Sequence, residues 1–324
     1  MFFKKMVANV AKFLLQQKVP PTDGTPKPLS PYAGTPYTEL QGKVAIITGG
    51  TSGIGLAVAM DLVENGARRV IVSGRDVKKG SNAVKLLNQM CSDHQQAFYV
   101  PMDVTAKEEL KELFAYTVEN HGGLDILMNS AGILNEESST WRKMVDTNVT
   151  ALIDSTRLGM DLMNDPKRPG VIVNVSGVCA IKPVPQLPIF CATKAAVLNA
   201  TRAFSKINNS NVRFLTACMG PTRTPMWLNF SENDVGDWAK EESENIVNAF
   251  MAQQKLVRSS IELPVMGIGC RCEPPLAIVV RAFISERCAS LYDIRLVECQ
   301  GNSVFYFSLN ECDIQRDVSD KILA

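Results

Sequence analysis

Six short apolar runs, each rich in β-branched residues, punctuate the chain between positions 43 and 217. They read KVAIIT (43–48), RVIVS (69–73), AFYVP (97–101), LDILMN (124–129), GVIVNVS (170–176) and VRFLTA (212–217). Their hydrophobicity is continuous rather than alternating, which is what a strand covered on both faces requires. Between them, residues 57–65, 79–90 and 106–119 carry apolar side chains at helical spacing. Strand and amphipathic helix in alternation predict an α/β fold: a doubly wound parallel sheet in a single domain. A further run at 294–298 predicts an edge strand, and residues 235–254 a helix. No repeat of solenoid length is visible.

The ends read differently. The segment MFFKKMVANVAKFLLQQK has no acidic residue, and Phe3, Met6, Val7, Val10 and Leu14 share one helical face. Lysines interrupt it too often for a bilayer span. Residues 1–19 are therefore a basic amphipathic segment, suited to an anionic membrane surface, to a presequence, or to docking on its own domain. The prolines of 20–39 make an extended linker. The domain is expected over 40–310, with a tail at 311–324.

Composition narrows the function classes. The net charge of +1 offers no general attraction for nucleic acid. Nine cysteines, an odd number, run from Cys91 to Cys312 without framework spacing. The Cys270-Arg271-Cys272 group lacks the gap of a zinc knuckle, and neither histidine, His94 or His121, lies near it, so no metal site is expected. Reduced thiols imply an intracellular, cytoplasmic protein, the first segment leaving a mitochondrial or membrane-peripheral placement open. The sequon Asn148-Val149-Thr150 is then a chance match.

Chemistry enters at the first strand-to-helix junction, Thr48-Gly49-Gly50-Thr51-Ser52-Gly53-Ile54-Gly55. Glycines let a turn approach a pyrophosphate closely, and the helix N-terminus behind it offers free N–H groups. Such a turn after a strand makes the sheet Rossmann-type. The spacing Gly-x-x-x-Gly-x-Gly resembles that of the short-chain dehydrogenase/reductase family. Further motifs agree in order: Asp103-Val104, Asn129-Ser130-Ala131-Gly132, Asn148 and Lys194. The resemblance spans roughly residues 40–307. Within the family, AGILNEE, LGMDLM, KPVPQLPIFCATK and CEPPLAIVV are most similar to 15-hydroxyprostaglandin dehydrogenases and their insect relatives.

This resemblance implies a nicotinamide dinucleotide cofactor. Thr48, Gly49, Ser52, Gly53, Ile54 and Gly55 would hold its pyrophosphate, and Asp103 and Val104 its adenine. Asn129, Ala131 and Gly132 would also contact the cofactor and Lys194 its nicotinamide ribose, with Thr222 or Thr224 meeting the carboxamide or a phosphate. Gly74 stands where an acidic side chain would grip the NAD ribose, and Arg75 beside it suits a 2′-phosphate, so NADP is expected ahead of NAD.

The same comparison exposes losses. The family's proton-relaying tyrosine falls at Phe190, and the serine that holds the substrate oxygen falls at Gly177. Ser176 is one residue early and, on a strand, faces the other way. Cys191 is a cysteine in the enzymes resembled too, so it replaces nothing. Leu187 stands in place of a glutamine. Asn148 and Lys194 are retained. The expectation is a nucleotide-binding protein with impaired or absent hydride transfer. Its alternatives are an active oxidoreductase with another proton donor, acting on a small apolar hydroxyl or carbonyl compound, and a nucleotide-free interaction or storage protein. Family members pair through helices that here span 139–163 and 188–206, implying a homodimer or homotetramer.

Overall fold

The structure, a computed structural model, describes residues 40–181, 183–207, 211–219, 222, 224–230 and 234, together with the backbone of strands at 292–299 and 302–309. The segments 1–19 and 20–39, the helix expected at 235–254, Cys270, Cys272 and the tail at 311–324 lie outside the described residues.

Parallel strands buried on both sides make the centre. β1 (Val44–Thr48), β2 (Arg69–Gly74), β3 (Gln96–Pro101), β4 (Ile126–Asn129), β6 (Arg168–Gly177) and β7 (Val212–Met219) are the six predicted runs, shifted by a few residues at most. A two-residue β5 (Asn164–Asp165) pairs antiparallel with the start of β6. Strand order is β3-β2-β1-β4-β6-β7, then β9 (Asn302–Leu309) and β8 (Tyr292–Cys299). β9 runs parallel to β7, while β8 is antiparallel to β9 at the edge. The edge strand was expected at 294–298. β9 was not, because four consecutive apolar residues between serines satisfy neither strand alternation nor a distinctive length.

Helices cover both faces of a single-domain, Rossmann-type sheet. α1 (Gly53–Glu64) and α2 (Val77–Met90) pack on the face carrying Ala45, Ile47, Val70 and Val72. α3 (Lys107–His121) packs on the face carrying Val44, Ile46, Ile71 and Ile172, contributing Leu110, Leu113 and Phe114. β1 thus buries both sides of its pleat, and each such aliphatic side chain contributes about 1.5–3 kcal/mol. The Asp76 carboxylate caps α2 by accepting from Lys79 N at 3.0 Å. At the other end of the sheet, the buried Asp125 accepts from two Arg168 nitrogens at 2.6 Å each and from Val44 N at 2.8 Å.

Two longer helical stretches complete the layers. α4 (Trp141–Val145) passes through a single π turn, Asp146–Thr150, into α5 (Ala151–Leu162). A 3-10 turn, Val178–Ala180, links β6 toward α6 (Pro188–Phe204), and a short α7 (Pro225–Leu228) follows β7. Among the described residues no helix is long and apolar enough to cross a membrane. Chain order reverses between β1 and β4, so their carboxyl ends open a crevice, the place where such sheets bind ligands.

Candidate active site

Backbone approach dictates the glycine turn. Gly49 and Gly53 have φ of +68° and +54°, the left-handed region. A Cβ at Gly49 would lie 2.7 Å from Ala131 Cα, and one at Gly55 would lie 2.5 Å from the Gly49 carbonyl oxygen. The turn is folded against both the β4 loop and its own helix. α1 starts there with no acidic residue in its first turn, and Ser52 at its N-cap makes no side-chain capping bond. The helix therefore presents uncompensated N–H groups and the positive end of its dipole to the crevice.

The crevice is a cavity of about 530 Å³. Gly49, Ser52, Gly53 and Ile54 form one wall, with Arg75, Asp103 and Val104 at one end. Ala131, Gly132, Thr222 and Thr224 line its middle, and Gly177, Phe190 and Lys194 the other end. Four expected residues stand behind this surface. Gly55 is packed beneath Gly49. Thr48 accepts from Ala131 N at 3.5 Å. The Asn129 amide is buried, donating to Asn174 at 2.8 Å and Thr156 at 3.2 Å and accepting from Ser155 at 2.6 Å. Asn148 is buried as well, which rules out its sequon for glycosylation.

Lys194 and Asn148 converge on Gly132. A Cβ there would sit 3.3 Å from Asn148 Oδ1 and 3.7 Å from Lys194 Nζ. Asn148 lies on the π turn, a distortion that recurs at functional sites. Its Oδ1 accepts from Ile133 N at 2.9 Å, and its Nδ2 donates to the Ile133 carbonyl at 2.9 Å and to Thr193 at 3.3 Å. Lys194 Nζ donates to the Val175 carbonyl at 3.3 Å and lies 5.3 Å from the centre of the Phe190 ring. Burial pushes its pKa below the usual lysine value.

The Phe190 ring is itself buried, meeting Trp227 edge-on at 6.4 Å. Leu134, Val184 and Leu187 extend this wall, so the far end of the cavity is apolar. Ser176 is among the residues lining the cavity, and its hydroxyl is engaged, donating to the Lys194 carbonyl at 2.7 Å. A Cβ at Gly177 would lie 3.1 Å from Cys179 Sγ. Tyr99 donates its hydroxyl to the Gly74 carbonyl at 2.8 Å, toward the opposite end of the cavity.

Glu136 was missed. It is fully buried and accepts from Ile189 N at 3.1 Å and Phe190 N at 2.6 Å, supplying the cap that Leu187 cannot. Burial raises its carboxyl pKa, and the two backbone donors pull it part of the way back. In sequence it is one of two adjacent glutamates, a pattern that reads as a solvated loop.

The cofactor-selecting end needs a correction. Arg75 pairs with Asp103 at 3.8 Å. Burial would raise the Asp103 carboxyl, but hydrogen bonds from Thr105 and the Arg75 charge hold it below its usual value. The arginine read as a 2′-phosphate partner is thus already engaged with a carboxylate. The relatives point the same way. 15-Hydroxyprostaglandin dehydrogenase [NAD(+)] of Rattus norvegicus is 32% identical over 192 residues, covering 58% of this chain and 71% of that protein. The Homo sapiens enzyme of the same name is 33% identical over 190 residues, covering 57% and 70%. Both are named for NAD(+), and the expectation of NADP ahead of NAD is overturned.

Solved structures agree on the fold. A 3-ketoacyl-(acyl-carrier-protein) reductase from Brucella melitensis complexed with NADH superposes with a TM-score of 0.54 at 26% identity, covering 59% of this chain and 80% of that one. An NAD+-bound xylitol dehydrogenase gives 0.53 at 23% identity, covering 56% and 71%, a likeness of fold alone. The family model described as short chain dehydrogenase matches residues 43–235, from the first strand past the apolar wall. Well over half of the chain is covered by that match, and the chain belongs to the short chain dehydrogenase family.

Proposed function

We propose that this protein binds NAD along the crevice and has little or no hydride-transfer activity. The residues present suit a dinucleotide. Glycines 49 and 55 leave a cradle that any side chain would fill, and the first turn of α1 offers N–H groups to a pyrophosphate. Asp103 and Val104 would contact the adenine, Thr222 and Thr224 the carboxamide or a phosphate. Lys194 would hold the nicotinamide ribose, and Asn148 the loop that faces it. The bound dinucleotide supplies the capacity to carry hydride.

One observation carries the reading: the aromatic ring beside the Lys194 ammonium is Phe190, which has no proton to exchange. Its partner position, Gly177, has no hydroxyl with which to hold a substrate oxygen. General acid–base groups contribute ~10²–10⁴-fold to such reactions. The ligand best suited to the Leu134, Val184, Leu187 and Trp227 wall is a small, largely apolar hydroxyl or carbonyl compound. A homodimer through the helices at 139–163 and 188–206 completes the proposal.

Thermal shift with NAD and NADH tests binding, since a ligand that binds only the folded state must raise its melting temperature. Steady-state assays with secondary alcohols and ketones test turnover, and rates normal for a dehydrogenase would remove the proposal. One observation favours a second reading, an active oxidoreductase. Lys194 is buried and its pKa is lowered by that burial, the direction that makes a lysine a better proton carrier. Loss of all turnover in Lys194→Met, with no gain in Phe190→Tyr/Gly177→Ser, would select it.

A further inference from the structure

The glycine turn and the end of β2 are held against each other. Gly50 N donates to the Ser73 carbonyl at 3.2 Å, and a Cβ at Gly50 would lie 2.7 Å from Val72 Cγ1. Beyond Ser73 the chain is fixed from the β3 side as well. The Gly74 carbonyl accepts from Met102 N at 3.2 Å and from the Tyr99 hydroxyl at 2.8 Å. Thr51 is thereby brought against Gly74, and both line the crevice beside Arg75.

A Cβ at Gly74 would lie 2.9 Å from Thr51 Oγ1 and 3.0 Å from Thr51 Cγ2. Non-bonded carbon atoms pack at about 3.5–4.0 Å, so the threonine fills the space in which a side chain at 74 would start. Threonine branches at Cβ, so one torsion moves both γ atoms and neither can step aside alone. The acidic side chain that holds the ribose in other dinucleotide-binding sheets is therefore excluded here by a neighbour.

The carboxylates at this end are committed elsewhere. Asp103 Oδ1 accepts from Thr105 N at 3.0 Å and from the Thr105 hydroxyl at 2.8 Å, while its Oδ2 faces Arg75 at 3.8 Å. Asp76 Oδ1 accepts from Lys79 N at 3.0 Å, and its Oδ2 lies 3.7 Å from Lys79 Nζ. The Thr51 hydroxyl is half-buried and makes no hydrogen bond to any described residue. A hydroxyl both donates and accepts, which matches a sugar hydroxyl.

We propose that Thr51 is the ribose-recognising residue of this crevice. It takes the space that a carboxylate at position 74 would need and presents its own hydroxyl to the adenosine ribose in place of that group. The inference rests on the reading that NAD lies along the crevice. Positions 51 and 74 then act as one unit, because a threonine at 51 and a carboxylate at 74 exclude each other. Recognition by an uncharged hydroxyl is also weaker than recognition by a carboxylate, whose hydrogen bonds are charge-assisted.

The test measures dissociation constants of the full chain by nicotinamide fluorescence. The probes are NADH and two analogues of it, lacking the 2′- or the 3′-hydroxyl of the adenosine ribose. Thr51→Val keeps the side-chain shape and removes the hydroxyl. It should weaken NADH binding about 2–12-fold, the worth of one neutral hydrogen bond. For the analogue without the hydroxyl that Thr51 holds, wild type and Thr51→Val should bind alike. Gly74→Asp alone should weaken NADH binding. Thr51 Cβ lies 3.6 Å from the Gly74 Cβ position, an ordinary contact, so Gly74→Asp/Thr51→Ala should bind NADH more tightly than Gly74→Asp. Three results overturn the proposal. They are unchanged NADH affinity in Thr51→Val, an equal loss for NADH and both analogues, and tighter binding by Gly74→Asp alone than by the double variant. A wild type that binds no NADH at all would remove the dinucleotide reading itself, and this inference with it. Thr51→Val and the analogues decide the matter even if Gly74→Asp folds poorly.

Discussion

Replacing Glu136 with alanine probes how the reactive end of the crevice is held. Its carboxylate accepts from Ile189 N and Phe190 N, the second and third residues of α6, which have no partner within the helix. Hydrogen bonds to a charged group contribute about 1.5–3 kcal/mol each, and loss of an N-cap costs about 0.5–2 kcal/mol. Burial raises the Glu136 pKa and returns part of that gain, so the lower part of the combined range applies, about 2–4 kcal/mol. For a domain of this size 1 kcal/mol moves Tm by about 2–4 °C, so Glu136→Ala should melt roughly 5–15 °C below wild type. Phe190 and Lys194 ride on the first two turns of α6, so NADH should bind more weakly in parallel.

Differential scanning fluorimetry with and without NADH reads both effects, and Glu136→Gln, which keeps one acceptor, should fall between. The pH dependence has a definite sign. Glu136 has a higher pKa folded than unfolded, so its contribution is full below the ordinary carboxyl pKa and is lost as pH rises through the folded value. Relative to Glu136→Gln, wild type should lose stability across that rise and then level off. If Glu136→Ala melts within about 2 °C of wild type and binds NADH unchanged, the capping argument is wrong.

Phe190→Tyr combined with Gly177→Ser should raise NAD-linked alcohol oxidation by ~10²–10⁴-fold in an NADH absorbance assay, and more cleanly with Cys179→Ala, which clears the new side chain. Gly49→Ala should abolish the thermal shift caused by NADH, because it strains a left-handed residue by roughly 1–2 kcal/mol and drives a methyl into Ala131. Arg168→Ala leaves Asp125 buried without its partner and should cost about 3–5 kcal/mol in chemical denaturation. Asp125 would be raised by burial but is held low by Arg168, Val44 N and Lys43. Wild type should therefore lose the difference from Arg168→Ala as pH falls below the ordinary carboxyl range toward the folded pKa, as urea titrations at several pH values would show.

The parts of the fold legible in the sequence are those written in local patterns. The β1 run VAIIT is buried at every position, so its uniform hydrophobicity marked a two-sided strand directly. Gly49 and Gly55 were legible because their spacing sits at a strand–helix junction, and their close contacts explain why no side chain stands there. Distant partners were illegible. Nothing near Glu136 announces that its carboxylate caps a helix starting about fifty residues later. Arg75 read as a phosphate ligand because its local context hides Asp103, distant in sequence and adjacent in the fold. Asn129 read as a cofactor contact from its motif, yet its amide is spent on Asn174, Thr156 and Ser155.

That amide network reaches further than the cofactor loop. Asn174 on β6 also donates to Thr201 on α6 at 2.9 Å, so a continuous chain of buried polar bonds runs α5–β4–β6–α6. None of these groups can lose its partner without stranding another in a region closed to water. The four elements should therefore open as one cooperative unit, with their backbone amides sharing a single slow deuterium-uptake rate. Loosening any one of them would register first at the other three.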